Sequence, residues 1–162
     1  RATADTHHDL PTVTASRADL AAHDFAPFRA LADLPMAMTA HIIFAAYDPD
    51  RPATRSPEMI RVIRQEIGFQ GLLMTDDLNM QALSGDLGQR TRAAMAAGCD
   101  IALHCKGDMD EMRQVAAEAG DLRPDTQARA RAALARRAPA TPVDIAALEA
   151  DLAAMGQGAL HG

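Results

Sequence analysis

In Gly71-Leu72-Leu73-Met74-Thr75-Asp76-Asp77 a short, unbroken apolar run ends on two adjacent carboxylates. No polar residue alternates with the apolar ones, so the run fits a strand covered on both faces, as in a parallel sheet. The residues before it read as a helix. Ser56 caps it, Pro57 takes the first helical position and Glu58 sits near the positive end of the dipole. Ile60, Ile63 and Ile67 fall on one face, and Gly68 closes the helix in a left-handed conformation. Pro35-Met36-Ala37-Met38-Thr39-Ala40-His41-Ile42-Ile43-Phe44 reads as an earlier buried strand. Beyond a glycine-containing loop over 84–88, an Ala-rich helix over 89–97 stops at Gly98. A third strand follows, Asp100-Ile101-Ala102-Leu103-His104-Cys105. Strand, helix, strand, helix, strand is the alternation of a parallel sheet with crossover helices. Three strands suit either a doubly wound sheet or part of a (β/α)8 barrel. In both, reactive groups lie just past the strands' carboxyl ends.

The flanks are simpler. Residues 1–10 read as a polar loop, with short helical pieces over 17–22 and 25–31. Further helices are expected over 108–119, 124–137 and 144–155, then a loose tail over 156–162. The 162 residues are 48% hydrophobic, which suits a folded core and argues against disorder. Sixteen Lys and Arg against 22 Asp and Glu give a net charge of −6, leaving no electrostatic footprint for nucleic acid. No run approaches the roughly 18 apolar residues of a membrane helix. No basic-then-apolar leader opens the sequence. Two cysteines, Cys99 and Cys105, make no disulfide framework and suit a reducing compartment. No Gly-x-Gly-x-x-Gly or Walker pattern follows a strand, and no ligand spacing matches a strong metal signature, so no cofactor is expected.

Candidate chemistry gathers at the strand ends. A carboxylate there can be nucleophile, general base or metal ligand, and Asp76 and Asp77 point in different directions, so one of them faces the site. The competing reading is an Asp that caps the next turn. In Asp5-Thr6-His7 the carboxylate can hold the imidazole in one tautomer and raise its basicity; alternatively this is a solvated loop. His41 and His104 end strands, where each either lines a pocket or is a satisfied core histidine. The scattered methionines read as core filler.

Taken in order, these stretches resemble one family. Asp5-Thr6-His7-His8-Asp9-Leu10-Pro11 is similar to the Asp-Ser-His…Leu-Pro loop of bacterial β-N-acetylglucosaminidases of glycoside hydrolase family 3. Met38-Thr39-Ala40-His41 resembles that family's Met-Thr-Ala-His strand. Gly68-Phe69-Gln70-Gly71 with Met74-Thr75-Asp76-Asp77-Leu78-Asn79-Met80 resembles Gly-Phe-x-Gly…Ser-Asp-Asp-Leu-x-Met. Ala97-Gly98-Cys99-Asp100 resembles the entry to the eighth strand.

The resemblance implies a (β/α)8 barrel and a retaining exo-β-N-acetylhexosaminidase. It casts Asp76 as nucleophile, His7 as general acid/base and Asp5 as the partner of His7. His41 and Met80 are expected to contact the sugar. The implied substrate is terminal β-linked N-acetylglucosamine in saccharides or muropeptides, in cytoplasmic peptidoglycan recycling. The family's barrel is about twice this length, so residues 1–162 read as the carboxyl-terminal part of one barrel domain, about its last three βα units. The missing amino-terminal half becomes the expected partner, and the chain alone is expected to be inactive. Two other readings compete. One is a non-catalytic sugar-binding relative. The other is a metal-dependent barrel hydrolase using His7, His8, Asp9 and Asp76.

Overall fold

The structure is a computed structural model that describes residues 1–158 apart from positions 3 and 6, with side chains described to residue 155. Strand β2 (Met36–Met38) pairs in parallel with β4 (Leu72–Met74), Met36 opposite Leu72 and Met38 opposite Met74. Met74 in turn bridges Ile101 in parallel. The three expected strands therefore lie side by side in chain order. A second parallel pair joins β1 (Thr12–Val13) to β3 (Ile43–Phe44).

Three expectations need correction here. The apolar run 35–44 is not one strand. The ladder with β4 ends soon after Thr39, whose amide donates to the Met74 carbonyl at 2.9 Å. His41 then turns inward, and Ile43 and Phe44 leave to pair with β1. Nor is β2 covered on both faces: Met36 is 44% and Met38 51% exposed. Ala37, on the other face, packs against Leu73 and the main core. The third strand is also shorter than read, a single bridge at Ile101 extended by the Asp100 and Ile101 amides donating to the Leu73 carbonyl.

The helices follow their caps. Helix α1 (Arg17–Asp19), capped by Ser16, widens into a π-helical turn over Leu20–Asp24, and α2 (Ala26–Ala30) follows. A 3-10 turn (Ala53–Arg55) leads to α3 (Pro57–Arg61), where the Ser56 hydroxyl accepts from the Met59 amide. The helix then widens into a π-turn over Val62–Ile67. That turn rotates the end of the apolar stripe. Ile60 and Ile63 pack on the core beneath β4, and Ile67 joins a second core around Leu20, Phe25 and Val62. Gly68 (φ +89°) and Gly98 (φ +113°) end their helices in the left-handed region that a side chain disfavours. Helix α4 (Leu87–Ala97) begins two residues earlier than its Ala-rich pattern indicated, because Asp86 and Gln89 form a capping box. Helices α5 (Met109–Ala119), α6 (Pro124–Ala135) and α7 (Ile145–Gly158) match expectation closely. Of the expected tail, 156–158 continue α7, and 159–162 lie outside the described residues. No described helix is long and apolar enough to cross a membrane.

At the amino end of the strands, the fully buried Asp100 side chain is a four-way junction. It accepts from the Leu73 amide (2.9 Å), Arg64 (2.7 Å), the Thr126 hydroxyl (2.8 Å) and Arg129 (2.8 Å). Burial opposes its ionisation. The Leu73 amide, the Thr126 hydroxyl and the two arginines outweigh that and hold the carboxyl below its ordinary value. One side chain thus ties β4, the helix after Ser56 and α6 together.

Candidate active site

The opposite, carboxyl end of the strands carries the groups expected to do chemistry. Asp76 and Asp77 follow β4, His41 follows β2 and His104 follows Ile101. The loop that holds Asp5 and His7 docks alongside, the Gln81 amide donating to the His7 carbonyl at 3.3 Å.

The two adjacent aspartates are used differently. The Asp77 carboxylate accepts from the Asn79 amide (3.1 Å) and the Cys105 amide (3.2 Å), and its carbonyl accepts from the Met80 amide (3.1 Å) and from His41 Nε2 (2.9 Å). Asp77 is thereby the knot of the turn, which is the capping role. Asp76 accepts only the Asp77 amide, through Oδ1 at 2.8 Å; its other oxygen has no hydrogen-bond donor among the described residues. Both amides to the Asp77 carboxylate reach Oδ1, so each aspartate keeps one oxygen without a donor among the described residues, and Asp76 is the one less tied into the turn.

Asp5 and His7 meet as their spacing suggests. His7 Nδ1 lies 2.8 Å from Asp5 Oδ1, and the same oxygen accepts the His7 amide at 3.0 Å. The hydrogen bond to Asp5 and its charge raise the imidazole above its ordinary 6.5, and the charges of Asp76 and Asp77 act in the same direction. Asp5 is lowered in turn, chiefly by the His7 amide and ring. Both side chains are largely exposed, at 71% and 64%. With Nδ1 turned to Asp5, Nε2 is the nitrogen presented outward, so the ring can give or take a proton there.

His41 sits in the interior. It is 0% exposed and both ring nitrogens are engaged, Nε2 with the Asp77 carbonyl and Nδ1 with the Thr54 hydroxyl at 2.8 Å. Both polar atoms of the His41 ring, an expected sugar contact, are thus engaged within the chain. Met80, 8% exposed, is likewise packed inward. His104 lies beneath the surface with its side chain 4% exposed, 3.3 Å from a Glu111 oxygen. No three His, Cys, Asp or Glu side chains among the described residues converge as metal ligands would.

Sequence reasoning gave no role to Thr54, to the Cys105 amide or to Arg90. Arg90 reaches from α4 to donate to the Leu78 (2.8 Å), Met80 (3.1 Å) and Gly85 (2.9 Å) carbonyls, pinning the loop after Asp77. Backbone partners leave no residue-type signal, so spacing alone did not reveal them.

Parallel strands alternating with helices, with polar groups gathered at their carboxyl ends, are consistent with part of a (β/α)8 barrel. Residues 1–137 match the sequence profile described as "Glycosyl hydrolase family 3 N terminal domain", and the chain belongs to that family. It is 47% identical over 106 residues to a β-hexosaminidase of Alkalilimnicola ehrlichii, covering 62% of this chain and 30% of that protein. It is 39% identical over 107 residues to a β-hexosaminidase of Bordetella avium, covering 63% and 30%. Among solved structures it resembles a glycoside hydrolase family 3 β-N-acetylglucosaminidase from Paenibacillus sp. (TM-score 0.72, 27% identity, 89% of this chain and 31% of that one). It also resembles native NagZ from Neisseria gonorrhoeae (TM-score 0.68, 29% identity, 96% and 44%). The chain spans about a third of the length of the curated relatives it matches.

Proposed function

We propose that the complete protein to which this chain belongs is a retaining exo-β-N-acetylhexosaminidase, with Asp76 as nucleophile and His7 as general acid/base. One observation carries the reading: the turn is tied through Asp77, by its Oδ1 and its carbonyl, while Asp76 takes a single amide, at the same end of the strands as an imidazole held by Asp5. A retaining glycosidase needs these two groups, one on each side of the anomeric carbon. Asp76 attacks that carbon as His7 protonates the departing oxygen, giving a glycosyl ester on Asp76. His7, now neutral, takes a proton from water, whose oxygen displaces the carboxylate and restores the starting configuration. A histidine titrating near neutrality suits both steps, and Asp5 fixes the nitrogen that performs them.

The substrate class, terminal β-linked N-acetylglucosamine, rests on the names of relatives: two are β-hexosaminidases, and one solved neighbour is NagZ in complex with N-trifluoroacetyl-D-glucosamine. Muropeptides of peptidoglycan recycling, in the cytoplasm, are the natural context we assign. The rest of the barrel is the partner that completes the sugar pocket. The test is release of a chromogenic aryl alcohol from its β-N-acetylglucosaminide by the complete protein. Turnover is the expected result. Saturable sugar binding without turnover would establish the non-catalytic reading instead.

A further inference from the structure

His41 is buried, fully hydrogen-bonded and one peptide away from Asp76. Its bonding permits only one arrangement for a neutral ring. The Asp77 carbonyl can only accept, so His41 Nε2 carries the proton. Nδ1 of the neutral ring is then an acceptor, and its partner, the Thr54 hydroxyl, must donate to it at 2.8 Å. That spends the one proton of Thr54. The Thr39 hydroxyl, 2.9 Å from Thr54 Oγ1, is therefore the donor in the next link. The alternative needs a doubly protonated ring: Nδ1–H would donate to Thr54, and Thr54 would turn to the Ala40 carbonyl at 3.1 Å. Burial pushes the ring below its ordinary 6.5. The Asp77 carbonyl and the charges of Asp76 and Asp77 oppose this, and Arg55 adds to it; the balance is downward and favours the neutral form.

The relay hangs on fixed points. Thr39, Thr54 and His41 are 5%, 0% and 0% exposed. The Ala53 amide donates to the Ile42 carbonyl at 2.8 Å, the Cys99 thiol to the Thr54 carbonyl at 3.6 Å, and the Thr39 amide to β4. Two neighbouring strand ends are thus coupled through one ring.

We propose that His41, held as the neutral Nε2–H tautomer by the Thr39 and Thr54 hydroxyls, is a positioning residue: it fixes the Asp77 carbonyl and so aims the Asp76 carboxylate. Its consequence for turnover rests on the glycosidase reading; the relay itself does not.

The test has two arms, both on the complete protein. In the first, nitrogen-15 NMR of labelled histidine rings reads the tautomer, the His41 signal being identified by its loss in His41→Gln. A ring bearing hydrogen on Nε2 and none on Nδ1, unchanged from about pH 8 to about pH 6 across the range where ordinary histidines titrate, is expected. An Nδ1–H tautomer, or a ring that protonates in that range, overturns the proposal. The second arm is kinetic. His41→Leu removes the donor and is expected to lower kcat on the order of 100-fold with little change in KM, as misplacement of a reacting group does. His41→Gln keeps an N–H for the Asp77 carbonyl and recovers most of the loss. Wild-type kcat in His41→Leu overturns the proposal, and if that variant does not fold, the tautomer alone decides. A protein that hydrolyses nothing yet shows the Nε2–H ring supports the relay and sinks the glycosidase reading. Turnover with an Nδ1–H ring does the reverse.

Discussion

Asp100 and Asp76 lie at opposite ends of one short parallel ladder, and the fold treats them in opposite ways. Asp100 is buried and receives donors from a backbone amide, a hydroxyl and two guanidinium groups. Asp76 receives one amide and keeps an oxygen without a donor among the described residues. A carboxylate surrounded by donors is a structural joint, because it has nothing left to offer a ligand and leaves several groups stranded if removed. A carboxylate starved of donors, on a turn that other groups hold rigid, is suited to bond formation. The difference does not lie in the residue type or in its neighbours in sequence; both follow or precede an apolar strand.

The comparison breaks most decisively at Asp76. Asp76→Ala in the complete protein is expected to cut turnover by at least ~10^4-fold, the scale for loss of a covalent catalyst. Its unfolding free energy should stay within about 0.5 kcal/mol of wild type, as for sites outside packing networks. Turnover comparable to wild type would remove Asp76 from the mechanism.

Asp100→Ala should do the converse. It leaves Arg64 and Arg129 without their buried partner, and denaturant titration should show a loss of about 3–5 kcal/mol, while the folded fraction keeps its kcat. The pH dependence has a defined sign. The folded carboxyl titrates below its ordinary 3.8, so its stabilisation is complete above that value and fades as pH falls through the lower folded value. Wild type should therefore lose stability more steeply than Asp100→Ala below pH 3.8. Matching acid limbs in the two proteins would mean that the junction contributes nothing.

The smallest effect sharpens the catalytic end. Asp5 raises His7 above 6.5, so the ring stays protonated, and able to act as an acid, to a higher pH than a free histidine. The alkaline limb of kcat/KM on substrates with poor leaving groups is expected above 6.5, moving down towards that value in Asp5→Asn. A limb that stays put would show that the Asp5–His7 contact has no hold on the proton.

Much of this was legible in the sequence because local chemistry determined it. Ser56, Gly68 and Gly98 set helix ends through caps that need only their own residues. Leu72–Met74 ran into its carboxylates as the apolar run indicated. Asp5 and His7 met because two residues of loop are all their contact requires. What stayed hidden depends on distant partners. An apolar run such as 35–44 has the same pattern whether or not it bends, and the bend at His41 is imposed by Thr54 and by the turn after β4. Exposure of Met36 and Met38 is a property of what lies beside β2, which composition does not encode. The division of labour between Asp76 and Asp77 was open for the same reason: the Cys105 amide that helps to settle it is 28 residues away.

The turn at Asp77 is held largely by main-chain atoms: the amides of Asn79, Met80 and Cys105 donate to Asp77, and the carbonyls of Leu78 and Met80 accept from Arg90. Substitution does not delete a peptide group. Side chains at 79 and 105 are consequently free to drift without unfastening the carboxylates, provided proline does not remove an amide, whereas Leu78 and Met80 are held by the core they pack into. A lineage can remodel what its pocket accepts there while inheriting the reactive geometry unchanged, which makes this corner of the barrel a place where specificity can evolve faster than mechanism.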